Sequence, residues 1–493
     1  MRASGILMHI SSLPSPWGIG TFGREAYAFA DFLAEAKQKY WQLLPLGPTG
    51  YGDSPYQCSS AFAGNPYFID LDALCADGLL LQEEIREIPW GDDPAQVDYG
   101  AVFAGRSGLL RLAYQRGWER DARAVDAFRR ANSDWLEDFA LFSACKEHFG
   151  MRPWTEWEDD DLRLRRSDDV LARYASLLRE KVEQCIYTQF LFSRQWEALR
   201  SYVHDKGIDI IGDVPIYVPL DSADVWSNAE YFQLDEQRRP TEIAGVPPDY
   251  FTEDGQLWGN PLYDWDRMRS DGFSWWIRRM RAAAKLFDVV RIDHFRGLES
   301  YWAVPAGDDT ARNGHWKPSP GKEFITAVKT ALPELRIIAE DLGFLTDEVV
   351  ELREFSGFPG MKILQFAFDP KGDSEYLPYR CEQNSVCYIG THDNSPLGQW
   401  LKETDKKTLS FAREYLGLNR AEGYAAGILR GGMGSPSDLF VAQMQDWLVL
   451  GAESRMNSPG ILGGGNWRWR MKADAITPRL TKKIARMTEI FGR

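Results

Sequence analysis

Four short apolar runs in this chain end in groups suited to acid–base or nucleophilic work. IDIIG (208–212) runs into Asp213, and FDVVRI (287–292) into Asp293 and His294. LRIIA (335–339) runs into Glu340 and Asp341, and VCYIG (386–390) into Thr391, His392, Asp393 and Asn394. One carboxylate after a strand is often a helix N-cap. Several together, two of them beside a histidine, call for another explanation. Paired carboxyls suit cleavage of a glycosidic bond, with one as nucleophile and the other, kept protonated, serving the leaving oxygen. Burial and neighbouring like charge raise the pKa of such an acid. A divalent-metal site is the competing reading. Imidazole ligation usually brings a spacing such as HExxH, which the sequence lacks, and no GxSxG elbow is present. We expect neither a metal nor a cofactor.

Groups spread over 180 residues meet only if a scaffold gathers them. Eight β-rich runs are visible: 5–10, 41–44, 208–212, 287–292, 335–339, 361–366, 386–390 and 439–441. Helical patterns lie between most of them. In 24–39, Ala26, Phe29, Phe32 and Leu33 share a face, and 273–286 and 322–332 read likewise. Strands alternating with helices argue a parallel sheet, and eight of them a closed (β/α)8 TIM barrel. A doubly wound sheet is the alternative, but neither GxGxxG after the first strand nor GxxxxGK[ST] occurs. In a barrel, the ends of the strands and the loops after them form one mouth, where these polar groups would converge.

The spacing is uneven. We expect one catalytic barrel over 1–493 with three insertions. These are a mostly helical one at 50–200, a subdomain rich in Pro, Tyr, Trp and Gly at 214–272 and a helical one at 394–436. Only about 50 residues follow the eighth run, ending in a helical pattern at 478–491, with no room for a C-terminal β-sandwich domain.

Composition narrows the partners. Net charge is −15, the wrong sign for nucleic-acid binding, and the densest basic run, RLRR (163–166), follows EDDD (158–161) after one leucine. No apolar run reaches the roughly 18 residues of a membrane span. The apolar stretch near Met1 is too short for a secretory signal. Six cysteines, none in a CxxC, argue against a disulfide framework, so the expectation is a cytoplasmic protein. Aromatic residues within Gly- and Pro-rich loops, as in DGQLWGNPLYDW (254–265), suit stacking on sugar rings.

Several segments together resemble the 4-α-glucanotransferases of glycoside hydrolase family 77, relatives of the α-amylases. They are IIGDVPIYV (210–218), SADVW (222–226), VVRIDHFRG (289–297), IIAEDLG (337–343) and GTHDN (390–394). LLPLGPTGYGDSPYQ (43–57), GVPPDYFTEDGQLWGNPLY (245–263), RMNSPG (455–460) and NWRWR (466–470) are also similar to that family. The resemblance covers nearly the whole chain.

It implies a barrel with inserted subdomains and retaining transfer of α-1,4-glucan segments between malto-oligosaccharides or other α-1,4-glucans, with glucose as an acceptor. By resemblance, Asp293 is the nucleophile, Glu340 the general acid/base and Asp393 the third carboxylate, which holds the distorted ring. Arg291 would pair with the nucleophile. Asp213, His392 and Tyr56 match sugar-contacting positions. The 245–263 segment looks like a lid, with Asp249, Tyr250, Phe251 and Trp258 as contacts. His294 and Asn457 join the substrate-binding set. For His294 the rival role is a backbone hydrogen bond; for Asn457, with Arg455, Arg468 and Arg470, it is a structural tie closing the barrel. Cys58, Ser59, MQD (444–446) and SPGILGGGNW (458–467) depart from the family pattern. A hydrolase on the same scaffold and a non-catalytic glucan-binding protein are the alternatives.

Overall fold

A computed structural model describes all residues except Met1, Tyr51, 249–252, Phe344 and Leu462. Among the described residues, twelve strands form two sheets. In chain order they are β1 (Ala3–Leu7), β2 (Tyr40–Gln42), β3 (Asp209–Val214), β4 (Glu242–Val246), β5 (Gln256–Pro261), β6 (Val289–Ile292), β7 (Ser300–Pro305), β8 (His315–Pro318), β9 (Arg336–Ala339), β10 (Gly360–Ile363), β11 (Ser385–Tyr388) and β12 (Leu439–Gln443).

Eight of these form a parallel sheet in the order β10-β11-β12-β1-β2-β3-β6-β9, the strands of an α/β barrel. Each expected run supplies one of them. The bounds differ where the chain leaves the ladder early: Ile10–Ser12 and Leu364–Phe366 are 3-10 turns, not strand. Strand periodicity sorts the side chains. Leu7, Ile211, Val289, Ile338, Met361, Ile363, Val386, Tyr388 and Val441 pack together as one interior cluster. Ile6, Trp41, Ile210, Val290, Ile337 and Phe440 belong to the larger core that includes the surrounding helices.

The seam of the barrel lies between β9 and β10, which share no ladder among the described residues. A side chain bridges it. The Met361 N–H donates to Asp341 Oδ1 at 2.7 Å, and Arg353 Nε sits 3.4 Å from Asp341 Oδ2. The Ala339 N–H reaches the Pro359 carbonyl at 3.0 Å. Two of the tail arginines expected as structural ties do tie backbone together, though not at this seam. Arg470 ties the tail to the Ser15 carbonyl, and Arg455 holds a loop described below.

The second sheet, β5-β4-β7-β8, is antiparallel and was not anticipated. β4 pairs with β7 across more than 50 residues, with Ala244 opposite Ala303. The segment read as a lid is thus joined by the excursion after β6 in one platform. Between β2 and β3 the chain is helical, ending in the 27-residue helix Arg179–Asp205. At 1.5 Å per residue that helix is about 40 Å long. It runs from the inserted helices at its N-terminal end to β3 at its C-terminal end. Among the described residues, no helix is long and apolar enough to cross a membrane.

Candidate active site

The same alternation that buries Ile211, Val289 and Ile338 inside the barrel places Asp213, Arg291 and Glu340, each two residues further on, over its mouth. Register fixes their order: Asp213 lies opposite Arg291, and Arg291 opposite Ile338. Beyond the strand ends the ladder continues through single bonds. The Asp293 N–H donates to the Val214 carbonyl and the Glu340 N–H to the Ile292 carbonyl, both at 3.0 Å.

Arg291 is the electrostatic centre. Its Nη1 is 2.6 Å from Asp213 Oδ2 and 2.9 Å from Asp293 Oδ1, and its side chain is 3% exposed. Two neighbouring carboxylates hold this guanidinium well above its ordinary pKa, so it stays charged. Asp213 also accepts from Tyr56 Oη at 2.8 Å. Burial pushes the Asp213 carboxyl up to about 7, against the pull of Arg291. The phenol of Tyr56 is pushed well upward by burial and by Asp213, and stays protonated.

Glu340 sits differently. Its Oε2 accepts the His294 N–H at 2.7 Å and its Oε1 the Leu342 N–H at 3.2 Å. Burial and the charge of Asp293 raise its pKa well above the carboxylate range, although Arg291 and the His294 N–H oppose this. His294 adopts a left-handed backbone, φ 53° and ψ 50°. In a non-glycine residue that conformation costs about 1–3 kcal/mol. Here it accompanies an N–H donated to the site's acid. The imidazole ring meets Trp258 edge-on at 4.8 Å, and burial lowers its pKa to about 3, so it is neutral. His294 thus meets the acid through its main-chain N–H and the lid through its ring.

The third carboxylate comes from the loop after β11. Asp393 Oδ1 accepts from Asn457 Nδ2 at 2.6 Å and lies 3.3 Å from His392 Nε2. Burial lowers the pKa of His392 against the pull of Asp393. Its ring stacks on Tyr56 with centroids 5.1 Å apart and planes 13° apart. Tyr56 thus touches both the Asp213–Arg291 pair and the Asp393 loop.

The structure brings Tyr56, Asp213, Trp258, Arg291, Asp293, His294, Glu340, His392, Asp393 and Asn457 into one connected constellation. Asp249, Tyr250 and Phe251 lie outside the described residues. Asp341 and Asp224 are structural: Asp341 bridges the seam, and Asp224 Oδ2 accepts the Ala61 N–H at 2.8 Å. Among the described residues, no group of three or more His, Cys, Asp or Glu side chains could hold a metal ion.

Sequence reasoning missed two members. Trp467 completes an aromatic triad, 5.8 Å from Tyr56 and 5.9 Å from His392. Arg455, read only as a tie, donates from Nη2 to the Asp393 carbonyl at 2.8 Å and from Nε to the Asn457 carbonyl at 2.8 Å. The clustering of RMN and NWRW in a tail without strand or helix pattern was the available signal.

Comparison with known proteins agrees with this geometry. A family profile described as 4-alpha-glucanotransferase matches residues 8–477. The chain is 49% identical to a 4-alpha-glucanotransferase of Streptococcus pneumoniae, covering 100% of this chain and 97% of that one. It is 46% identical to that of Thermus thermophilus, covering 100% and 99%. The fold superposes on an amylomaltase from Streptococcus agalactiae in complex with acarbose, with a TM-score of 0.98, 43% identity and 100% of both chains covered. An amylomaltase from Corynebacterium glutamicum, 20% identical with a TM-score of 0.79 over 99% of this chain and 75% of that one, shares the fold. The chain therefore belongs to the 4-alpha-glucanotransferase family, glycoside hydrolase family 77, and is a glycosyl-transferring enzyme built on a (β/α)8 barrel.

Proposed function

We propose that this enzyme transfers α-1,4-glucan segments with retention of configuration. Its donors are malto-oligosaccharides and other α-1,4-glucans, and its acceptors are the 4-hydroxyls of glucans or glucose. The observation that carries the assignment of roles is the different setting of two adjacent carboxyls. Asp293 touches Arg291, whereas burial and the charge of Asp293 favour the protonated form of Glu340. A pair set apart in this way divides the work into nucleophile and acid.

In the first step Asp293 attacks the anomeric carbon. The glycosidic bond breaks, and Glu340 gives its proton to the leaving oxygen. A covalent glucosyl-enzyme forms. In the second step Glu340, now ionised, takes the proton of the incoming 4-hydroxyl, and the Asp293–sugar bond breaks. Asp393, held by Asn457, binds ring hydroxyls as the sugar flattens. Asp213, His392 and Tyr56 line the donor side. Water is always the competing acceptor, so transfer requires a shielded intermediate. The β4–β5 arm supplies that cover by packing Trp258 on His294, and we include Asp249, Tyr250 and Phe251 among its glucan contacts. The three insertions, at 50–200, 214–272 and 394–436, are excursions from one catalytic barrel. Six unpaired cysteines support a reducing, cytoplasmic setting.

Incubation with maltotriose alone tests the reading. Transfer yields a ladder of longer glucans plus glucose at constant total reducing ends. Rising reducing ends with only shorter products would mean hydrolysis and would overturn it.

A further inference from the structure

A candidate binding cavity outside the carboxylates lies on the flank of the barrel, between helices Ala122–Ala131, Arg179–Asp205 and Ser274–Leu286. The cavity holds about 520 Å³. That falls within the range of about 300–1,000 Å³ usual for small-molecule sites. None of the proposed catalytic or glucan-contacting residues lines it.

Its lining has a definite chemistry. Phe62 and Trp135 form a stacked aromatic pair, centroids 6.4 Å apart and planes 15° apart. Trp196 forms part of the wall, and Arg278 on the opposite helix donates from Nη2 to Asn228 Oδ1 at 3.3 Å. Arg281 and Lys285 stand three and seven residues beyond Arg278, on the same helix face. Both line the cavity and are exposed, and neither makes an ion pair among the described residues. Two exposed carboxylates, Asp134 and Glu197, also reach the rim; Glu197 accepts from Ser193 Oγ at 2.9 Å.

We propose that this cavity is a second binding site, for a phosphorylated monosaccharide. The sugar ring lies against the aromatic pair, and its phosphate meets Arg281 and Lys285. A guanidinium's fork of donors matches phosphate oxygens. A neutral glucan would supply acceptors but would leave the cationic side of the cavity unmatched. The site does not depend on the roles assigned to the carboxylates.

Calorimetric titration of the whole enzyme with glucose 6-phosphate tests this. The expected result is one saturable site, weakened at least about tenfold when Arg281→Gln and Lys285→Gln are combined, since each tenfold is about 1.4 kcal/mol of lost contact. Both replaced side chains are exposed, and thermal melting of the double variant checks its fold. Its maltotriose turnover should equal that of the unmodified enzyme. Binding should persist in Asp293→Ala, should weaken in Trp135→Ala, and should not be displaced by glucose or maltotriose. Four results would overturn the proposal. They are no saturable binding, binding unchanged in the double variant, displacement by neutral sugars, and inorganic phosphate binding as tightly as glucose 6-phosphate. Loss of binding in Asp293→Ala would place the ligand in the catalytic cleft and overturn it as well.

Discussion

Asn457 is the most instructive single perturbation, because it acts on the reaction only through another side chain. Its amide donates to Asp393 Oδ1 at 2.6 Å, and its own loop is held by Arg455. A hydrogen bond to a charged group is worth about 1.5–3 kcal/mol. The Asp393 side chain is 38% exposed, so solvent screening puts the value in the lower part of that range, about 1.5–2 kcal/mol. If the bond orients Asp393 for the transition state, Asn457→Ala lowers kcat/KM about 10- to 30-fold, at about 1.4 kcal/mol per tenfold. Asn457→Asp goes further. It places a like charge within hydrogen-bond reach, where repulsion at about 4 Å approaches 4 kcal/mol at an effective dielectric of about 20. The deficit should shrink as pH falls, because the new carboxyl gains a proton and becomes a donor again. The assay is maltotriose disproportionation between pH 5 and pH 8 for both variants. A rate for Asn457→Ala within twofold of the unmodified enzyme would refute the argument. So would an Asn457→Asp variant that is no slower than Asn457→Ala at pH 8.

Three further outcomes follow from the same geometry. Glu340 must be protonated to act, so the rate is present below its raised pKa and falls as pH rises through it. Glu340→Gln should lower kcat about 10²- to 10⁴-fold, abolish that alkaline limb and leave maltotriose binding intact, which a pH–rate profile and a binding titration measure together. Asp446 is fully buried, and its pKa is raised to about 7 by burial. A carboxyl whose folded pKa exceeds its unfolded value contributes stability that is complete below about pH 4 and lost as pH rises through 7. This one group accounts for about 3–4 kcal/mol of that loss. Asp446→Asn, which keeps an acceptor for the Leu397 N–H, should therefore flatten the fall, as urea unfolding at pH 4, 6 and 8 will report. Trp258→Ala should raise the hydrolysed fraction of maltotriose severalfold at nearly constant total turnover, since it removes the contact between the β4–β5 arm and His294. An unchanged ratio would sink the shielding role.

The barrel was legible because its strands are buried on both faces and read as continuous apolar runs. The residues that follow those runs then pointed to Asp213, Asp293, Glu340 and Asp393, whereas Arg291 entered only through the family resemblance. What stayed hidden depended on distant pairing. β5 contains Gly259 and Pro261, which argue against a strand, and β4 is held by β7 from beyond the next barrel strand. The seam is bridged by a carboxylate, Asp341, whose partners Arg353 and Met361 carry no local pattern, and by one backbone bond from Ala339 to Pro359. Trp467 and Arg455 lie in an irregular tail whose course is set by packing on the Asp393 loop, so residue type marked them and geometry did not. The flanking cavity was invisible for the same reason. Phe62, Trp135, Trp196 and Arg278 come from four separate elements.

The central claim is that Asp293 becomes covalently bonded to the sugar while Glu340 manages the proton. The most direct measurement uses Glu340→Gln with α-glucosyl fluoride, whose fluoride leaves without acid assistance, followed by rapid acid quench and peptide mass mapping. The account predicts a single glucosyl adduct on the peptide containing Asp293 that disappears in Asp293→Ala. No adduct, or an adduct on any other carboxylate, would contradict it.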